Sequence, residues 1–377
     1  MIRVLAVGDL VLECDDSWPL LEPAAETLAG GDLVFGHLEI PHVVAGTVDV
    51  TDVPALPGPP SALDGLARAG FHAVTLAGNH AYDFGAEGLR STVAECASRG
   101  IATAGSGETL SEALEPTIVE RHGLRIALLS VNCVGPRESW ATGLKPGVAY
   151  VEAVTHYATR GANPGGPPRV FTFIDPPSLS RFAEAVASAA DLADIVLVGL
   201  HKGLVHSPVE IADYEYEVSH AAIDAGAAAV FGHHAHIFKG VEVYRGRPIF
   251  HGLGNFVTVT AALNAGAGDA EERAAWARAR QKLFGFVPDP QMPMYPFHPE
   301  SRDTAVAVLD IHPDGNLAAS LIPCRIDASA RPVPLRDGPE FDRVCGYLQM
   351  ITAEAGLRTS FSTHDSRLVV ALHERQK

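Results

Sequence analysis

Ala77-Gly78-Asn79-His80-Ala81-Tyr82-Asp83-Phe84-Gly85 follows without a break on the apolar run Ala73–Leu76 and opens into the helically patterned stretch Gly85–Gly100. A short apolar run bounded by small residues reads as a buried strand, and Ala-Gly punctuation reads as a turn. The turn sets an amide and an imidazole at the carboxyl end of a strand, the place where open α/β sheets collect their ligands.

Working outward, the same arrangement recurs. Val4–Val7 reads as a strand and is followed, after Gly8, by Asp9; Leu33–Phe35 is followed by His37 and Glu39. Downstream, Ile195–Leu200 runs into His201, and Ala228–Phe231 into Gly232-His233-His234-Ala235-His236. One such residue is unremarkable, because Asp9 alone would pass as a turn or helix-capping residue. Five successive strand ends, each offering a carboxylate, imidazole or amide, are hard to produce by core packing. Mixed oxygen and nitrogen donors suit hard or borderline divalent ions (Mn, Fe, Zn, Mg or Ca), and two carboxylates with several neutral donors can hold two of them.

Between these points helices alternate with strands. Pro60–Gly70, Ser178–Ala190, Ala212–Ala225 and Phe341–Ala355 read as helices, Ile126–Val131 as a strand, and Gly240–Tyr244 with Pro248–Phe250 as a hairpin. Thr304–Ile311 and Ala318–Ile326 read as a closing antiparallel pair. The fold class is therefore α/β, with sheets flanked by helices. With no repeat and no low-complexity linker, residues 1–377 are expected to form one domain. The irregular segments 135–170 and 258–300 are expected as lids or substrate loops, since long irregular segments in compact domains tend to be functional.

A net charge of -17 without a basic run argues against nucleic acid as a partner and against docking on an anionic membrane. Five cysteines without a CxxC pair argue for reduced thiols rather than a disulfide framework. Met1-Ile2-Arg3 runs straight into the first strand, and no apolar segment reaches bilayer-spanning length, so a cytoplasmic protein without membrane partners is expected.

Taken together, Val7-Gly8-Asp9, Leu38-Glu39, the Ala77–Gly85 string, His201-Lys202-Gly203, the Gly232–His236 block and Gly252-Leu253-Gly254-Asn255-Phe256 resemble the CapA family of the calcineurin-like metallophosphoesterases in order and spacing. The resemblance runs from about Val4 to Val257. It implies a metallophosphoesterase sandwich of mixed β-sheets flanked by helices. It also implies a metal-ligand set of Asp9, Glu39, Asn79, His201, His234 and His236, with His80 beside the metals as an acid/base group oriented by Asp83. Two departures stand out. Asp9 is followed by Leu10-Val11 where metallophosphoesterases carry Asp-x-His, a trait shared with CapA-like proteins, and His37 stands where those proteins carry Asn in Asn-Leu-Glu.

His37 reads equally as an added ligand or base and as a loop cap; His233 reads as a ligand or as a backbone-bonded neighbour of His234. His206 and His220 read as peripheral, and Asn255 as a turn residue. His251, next to the Gly252–Phe256 block, and His298, in the polar run His298-Pro299-Glu300-Ser301-Arg302, join His80, Asp83 and His37 as candidate catalytic groups. Asp15, Asp16 and Trp18 line the cleft or merely begin a helix.

The surplus of imidazoles, and the resemblance to the branch of CapA-like proteins that epimerises a residue of a ribosomal lasso-peptide precursor, give the leading expectation. It is metal-dependent Cα epimerisation of a peptide, with the metal stabilising enolate-like charge and two acid/base residues exchanging the proton. Hydrolysis of a small phosphoester is the alternative, and a capsule or poly-γ-glutamate biosynthesis factor the third expectation.

Overall fold

Alternate residues of the first strand, Ile2–Leu12, go to different places. The computed structural model describes residues 1–44, 57–158, 169–261, 270–312 and 315–372. In it Ile2, Val4 and Ala6 enter one apolar core, while Leu5 and Val7 enter another. This is the period of two expected of a strand buried on both faces. After Asp9 the parity changes, and Leu10 and Leu12 join the core that Leu5 and Val7 occupy. The cause is a register irregularity on both sides of Asp9 in the pairings with Leu33–Leu38 and Asn255–Val259. A bulge shifts the alternation by one residue, and here it puts Asp9 in the row continued from Val4 and Ala6. Gly8 makes the bend possible, because a Cβ there would lie 1.9 Å from the carbonyl oxygen of Gly254.

The larger sheet runs Phe361–His364, Arg367–Val370, Leu317–Ile326, Asp303–Ile311, Ile2–Leu12, Leu33–Leu38, Ala73–Thr75, Ala102–Ala104, with Asn255–Val259 added beside Ile2–Leu12. Its members from Ile2–Leu12 to Ala102–Ala104 are parallel, and Asp303–Ile311 joins antiparallel. The second sheet runs Val241–Tyr244, Arg247–Phe250, Ala229–His234, Ile195–Lys202, Leu124–Asn132, Thr117–Arg121, parallel through its four middle strands. Their inner faces share one core, in which Val4, Phe35 and Ala73 meet Ile126, Leu197 and Phe231. Phe35 and Phe231 cross edge to face at 5.2 Å, a geometry worth about 0.5–1.5 kcal/mol beyond burial.

Helices cover the outer faces. Ala62–Arg68 packs Leu63 and Leu66 against Leu5, Val34 and Val74. Pro176–Leu192 begins at Asp175, whose carboxylate accepts the Ser178 amide at 3.0 Å, and buries Phe182, Val186 and Ala189 at helical spacing against the second sheet. The mixed α/β sandwich expected from the sequence is thus the architecture found.

Segment 135–170 is less irregular than expected: Ala153–Ala158 pairs with Arg169–Ile174 as an antiparallel ribbon. The connecting residues 159–168, read as part of the irregular segment, lie outside the described residues, as do 262–269 within the second candidate lid. Segment 258–300, too, is less irregular than expected, since it holds the helix Ala270–Phe284. The five cysteines are all free. Among the described residues no helix is long and apolar enough to cross a membrane.

Candidate metal centre

The inner rows of both sheets turn polar at one end, and there they meet. Leu33 and Phe35 continue into His37 and then Glu39; Ala73 continues into Thr75. Across the sandwich, Leu197 continues through Gly199 to His201, and Ala229 and Phe231 to His233. All of these polar side chains are buried. His234, the last residue of the strand Ala229–His234, and His236 in the loop after it both have left-handed backbone (φ 81° and 52°), which is uncommon for residues other than glycine. Such backbone strain tends to collect at functional sites.

Two groups of donors result. In the first, Asp9, Glu39 and His236 each offer one ligand atom, all within 4.8 Å of one another. His236 Nε2 is 3.2 Å from Glu39 Oε1, and its Nδ1 is 3.4 Å from Asp9 Oδ2. In the second, His201 Nε2 lies 2.8 Å from Asn79 Oδ1 and 3.1 Å from His234 Nδ1. The His234 amide also points at Asp9, 3.2 Å from Oδ2, which ties the two groups together.

Several buried atoms here have no hydrogen-bond partner among the described residues: Glu39 Oε2, His37 Nε2, His201 Nδ1 and both ring nitrogens of His233. His233 Nδ1 does lie 3.2 Å from Asp9 Oδ1, but not in hydrogen-bonding geometry. Orphaned buried polar atoms are costly, and several pointing into one place require something to satisfy them. Carboxylate, amide and imidazole donors fit divalent cations.

The electrostatics agree. Burial would lower His236, but the charge of Glu39 and then Asp9, with the Asn255 hydrogen bond, hold it up at about 9. Burial would likewise raise Glu39, and the same imidazolium takes it down to about 2. Asp9 is raised by burial, with the charge of Glu39 adding to it. His37 and His201 are driven well below the ordinary imidazole value by burial, then by neighbouring histidines. Neutral imidazoles beside a His236 proton held between two carboxylates are what a cation would find and displace.

All six expected ligands are therefore brought together. His80 Nδ1 is 2.8 Å from Asp83 Oδ2, as expected, and its charge is felt by Glu39. His37 is no loop cap: its Nδ1 meets Thr75 Oγ1 at 3.1 Å, and its ring lies 4.4 Å from that of His201. Gly78 has room for no side chain, because a Cβ would sit 2.6 Å from His37 Nε2.

His251 is not brought to the centre. Its ring nitrogens meet Lys202 Nζ at 3.0 Å and Glu242 Oε2 at 2.9 Å, inside a buried charge network where Lys202 and Lys239 both face Glu215. That network supports the loop bearing His206, since Lys239 Nζ donates to the carbonyls of Ser207 and Glu210. His298 caps a short 3-10 turn, accepting the Glu300 amide at 3.1 Å, and its ring lies 6.3 Å from that of His206.

Two contributors were not singled out by the sequence. His206, read as peripheral, is buried, lies 6.2 Å from His236 ring to ring, and is surrounded by Phe284, Phe286 and Phe297. Asn255, read as a turn residue, opens the Asn255–Val259 strand and accepts the His236 Nδ1 hydrogen at 2.8 Å. Its own Nδ2 donates to Tyr295 Oη at 3.0 Å. The Asn255–Tyr295 pairing leaves Asn255 Oδ1 facing His236, which fixes the tautomer that frees Nε2 as a ligand.

The sequence matches the model of the bacterial capsule synthesis protein family PGA_cap over residues 3–260. It is 30% identical over 193 residues to the PGA biosynthesis protein CapA of Bacillus subtilis, covering 51% of this chain and 44% of that protein. Against the capsule biosynthesis protein CapA of Bacillus anthracis it is 24% identical over 310 residues, covering 82% of this chain and 60% of the relative. The chain thus spans about half the length of the curated relatives it matches. Among solved structures, a putative 5'-nucleotidase from Staphylococcus aureus aligns over 94% of this chain and 58% of that one, at 13% identity and a TM-score of 0.42.

Proposed function

The chain belongs to the family of bacterial capsule synthesis proteins, and from that premise we propose that it is a divalent-metal-dependent enzyme that inverts one α-carbon of a peptide. Asp9, Glu39 and His236 would hold one cation, and Asn79, His201 and His234 a second. Bound cations would polarise a substrate carbonyl or carboxylate oxygen and spread the negative charge left when the α-proton departs.

The observation that carries the reading is that His80 and His298, two of the imidazoles outside this ligand set, flank the site. Inversion needs a base on one face of the α-carbon and an acid on the other. His80 stands on the Glu39 side, and its Nδ1 lies 2.8 Å from Asp83 Oδ2, which orients the ring. His298 stands on the His236 side, next to His206; burial favours its neutral form, and turning the ring off the Glu300 amide would free Nδ1 to accept a proton. His298 takes the α-proton, His80 gives a proton to the opposite face, and the reverse reaction exchanges their roles. No atom is gained or lost. The rings of Phe284, Phe286 and Phe297 keep the mouth apolar, which raises the worth of each charge inside.

Phosphoester hydrolysis is the second reading. The His80–Asp83 pair favours it, since it could equally protonate a leaving oxygen. The two are separated by incubating the Mn²⁺-loaded protein with candidate peptides and with aryl phosphate mono- and diesters, with and without chelator. Chiral analysis of the hydrolysed peptide should show a chelator-sensitive D-residue. Ester cleavage with full retention of L-configuration would overturn the proposal.

A further inference from the structure

A second concavity lies at the same end of the sheets. It has a volume of about 380 Å³, and its walls include Leu20, Val259, Met292, Met294 and Tyr295, with Glu13 and Asp16 on its lining. We infer that it receives an apolar side chain of the peptide substrate that has a cationic residue beside it. The inference rests on the peptide reading above and names a specificity subsite for it.

Three observations carry it. The walls are soft and apolar: two of the four methionines in the chain stand here, one buried and one 40% exposed. Unbranched thioether side chains adapt to the apolar group they meet. The acidic side is open, because among the described residues neither Glu13 nor Asp16 forms an ion pair with a Lys or Arg. Asp16 spends one oxygen on the Trp18 amide, and Glu13 Oε2 accepts from Thr260 and Ala261, which fixes both carboxylates without neutralising them.

The third observation is the distance. Asp9 and Glu13 are four residues apart on one extended chain, and Asn255 and Val259 four apart on its parallel neighbour. That places the cavity roughly 13 Å beyond the metal centre. An extended peptide advances about 3.3–3.6 Å per residue, so a side chain in the cavity belongs to a residue about four positions from the one that reacts. Tyr295 is shared, since it walls the cavity and holds Asn255.

The test uses the full chain, stripped with chelator and carrying ¹³C-methyl methionine. The probes are ten-residue Gly/Ser peptides bearing one Leu-Lys pair, with Leu-Glu and Gly-Lys controls. Binding of the Leu-Lys peptide should shift the Met292 and Met294 methyl signals and leave Met1 and Met350 unmoved. Either control should bind at least tenfold more weakly. Leu20→Trp, which fills the cavity, should weaken binding at least tenfold. Glu13→Gln with Asp16→Asn, which keeps the hydrogen-bond acceptors, should weaken it severalfold and flatten its salt dependence, so the test survives if the tryptophan variant does not fold. Peptide binding seen by fluorescence polarisation without the two methyl shifts, or equal binding of all three peptides, overturns the subsite and leaves the peptide reading standing. Binding of none of the peptides, together with Mn²⁺-dependent cleavage of aryl phosphates, overturns both.

Discussion

Metal binding should expel a proton, and His236 is where that proton comes from. In the metal-free protein this imidazole lies between Glu39 Oε1 at 3.2 Å and Asp9 Oδ2 at 3.4 Å, with Asn255 Oδ1 at 2.8 Å, and these acceptors hold it protonated to about pH 9. A cation can take Nε2 only from the neutral ring. Below pH 9 the neutral fraction falls tenfold per pH unit, so apparent affinity at this group should fall about a hundredfold between pH 8 and pH 6. Asp9, raised by burial, adds to the loss at the acid end. Calorimetric titration with Mn²⁺ at pH 7, in two buffers of different ionisation enthalpy, should count about one proton released by the ion bound here. His236→Ala should bind more weakly and lose that release. The stability of the metal-free protein has the opposite sign. A raised imidazole contributes stability present below about pH 6.5 that is lost as pH rises through about 9. Tight Mn²⁺ binding with no proton released at pH 7 would refute the placement of the ion among Asp9, Glu39 and His236.

Asn255→Leu should lower metal affinity by about 10–100-fold through loss of the His236 tautomer; Asn255→Asp, which keeps an acceptor, should restore most of it in the same titration. Glu215→Gln leaves Lys202 and Lys239, both fully buried, without their shared carboxylate. It should cost about 3–5 kcal/mol in urea unfolding. His80→Ala should cut turnover by about 10²–10⁴, while metal content measured by mass spectrometry stays at the wild-type level; a matching loss of metal would make His80 a ligand instead.

The period-two pattern made most of this legible. Strand identities could be read because apolar runs end in metal-binding residue types, while the choice of six ligands among those residues came from the resemblance to the CapA family. The same signal cut the strands short. Ile195–Leu200 and Ala228–Phe231 were ended where polarity begins, yet the backbone continues to Lys202 and His234, because the polar residues occupy the inner row of the same strands. The bulge at Asp9 was hidden, since it depends on the approach of the Gly254 carbonyl to Gly8, a contact 246 residues away in sequence. His251 was misjudged by proximity to the Gly252–Phe256 block. Its neighbours in space are Glu242, on the hairpin strand read from the sequence, and Lys202, on a strand the sequence gives no reason to bring to it. His206 left no local signal either, because the aromatic rings around it come from a segment about 80 residues further on. Asn255 looked like a turn residue beside two glycines, and only the tertiary fold brings its amide to His236.

The most direct measurement of the central claim is hydrogen exchange at the α-carbon. Peptide substrate is incubated with the Mn²⁺-loaded protein in D₂O, and the product is analysed by mass spectrometry. The account predicts uptake of one non-exchangeable deuteron at a single residue, abolished by chelator and by His298→Ala. Deuterium-free peptide recovered alongside brisk Mn²⁺-dependent cleavage of an aryl phosphate would contradict it.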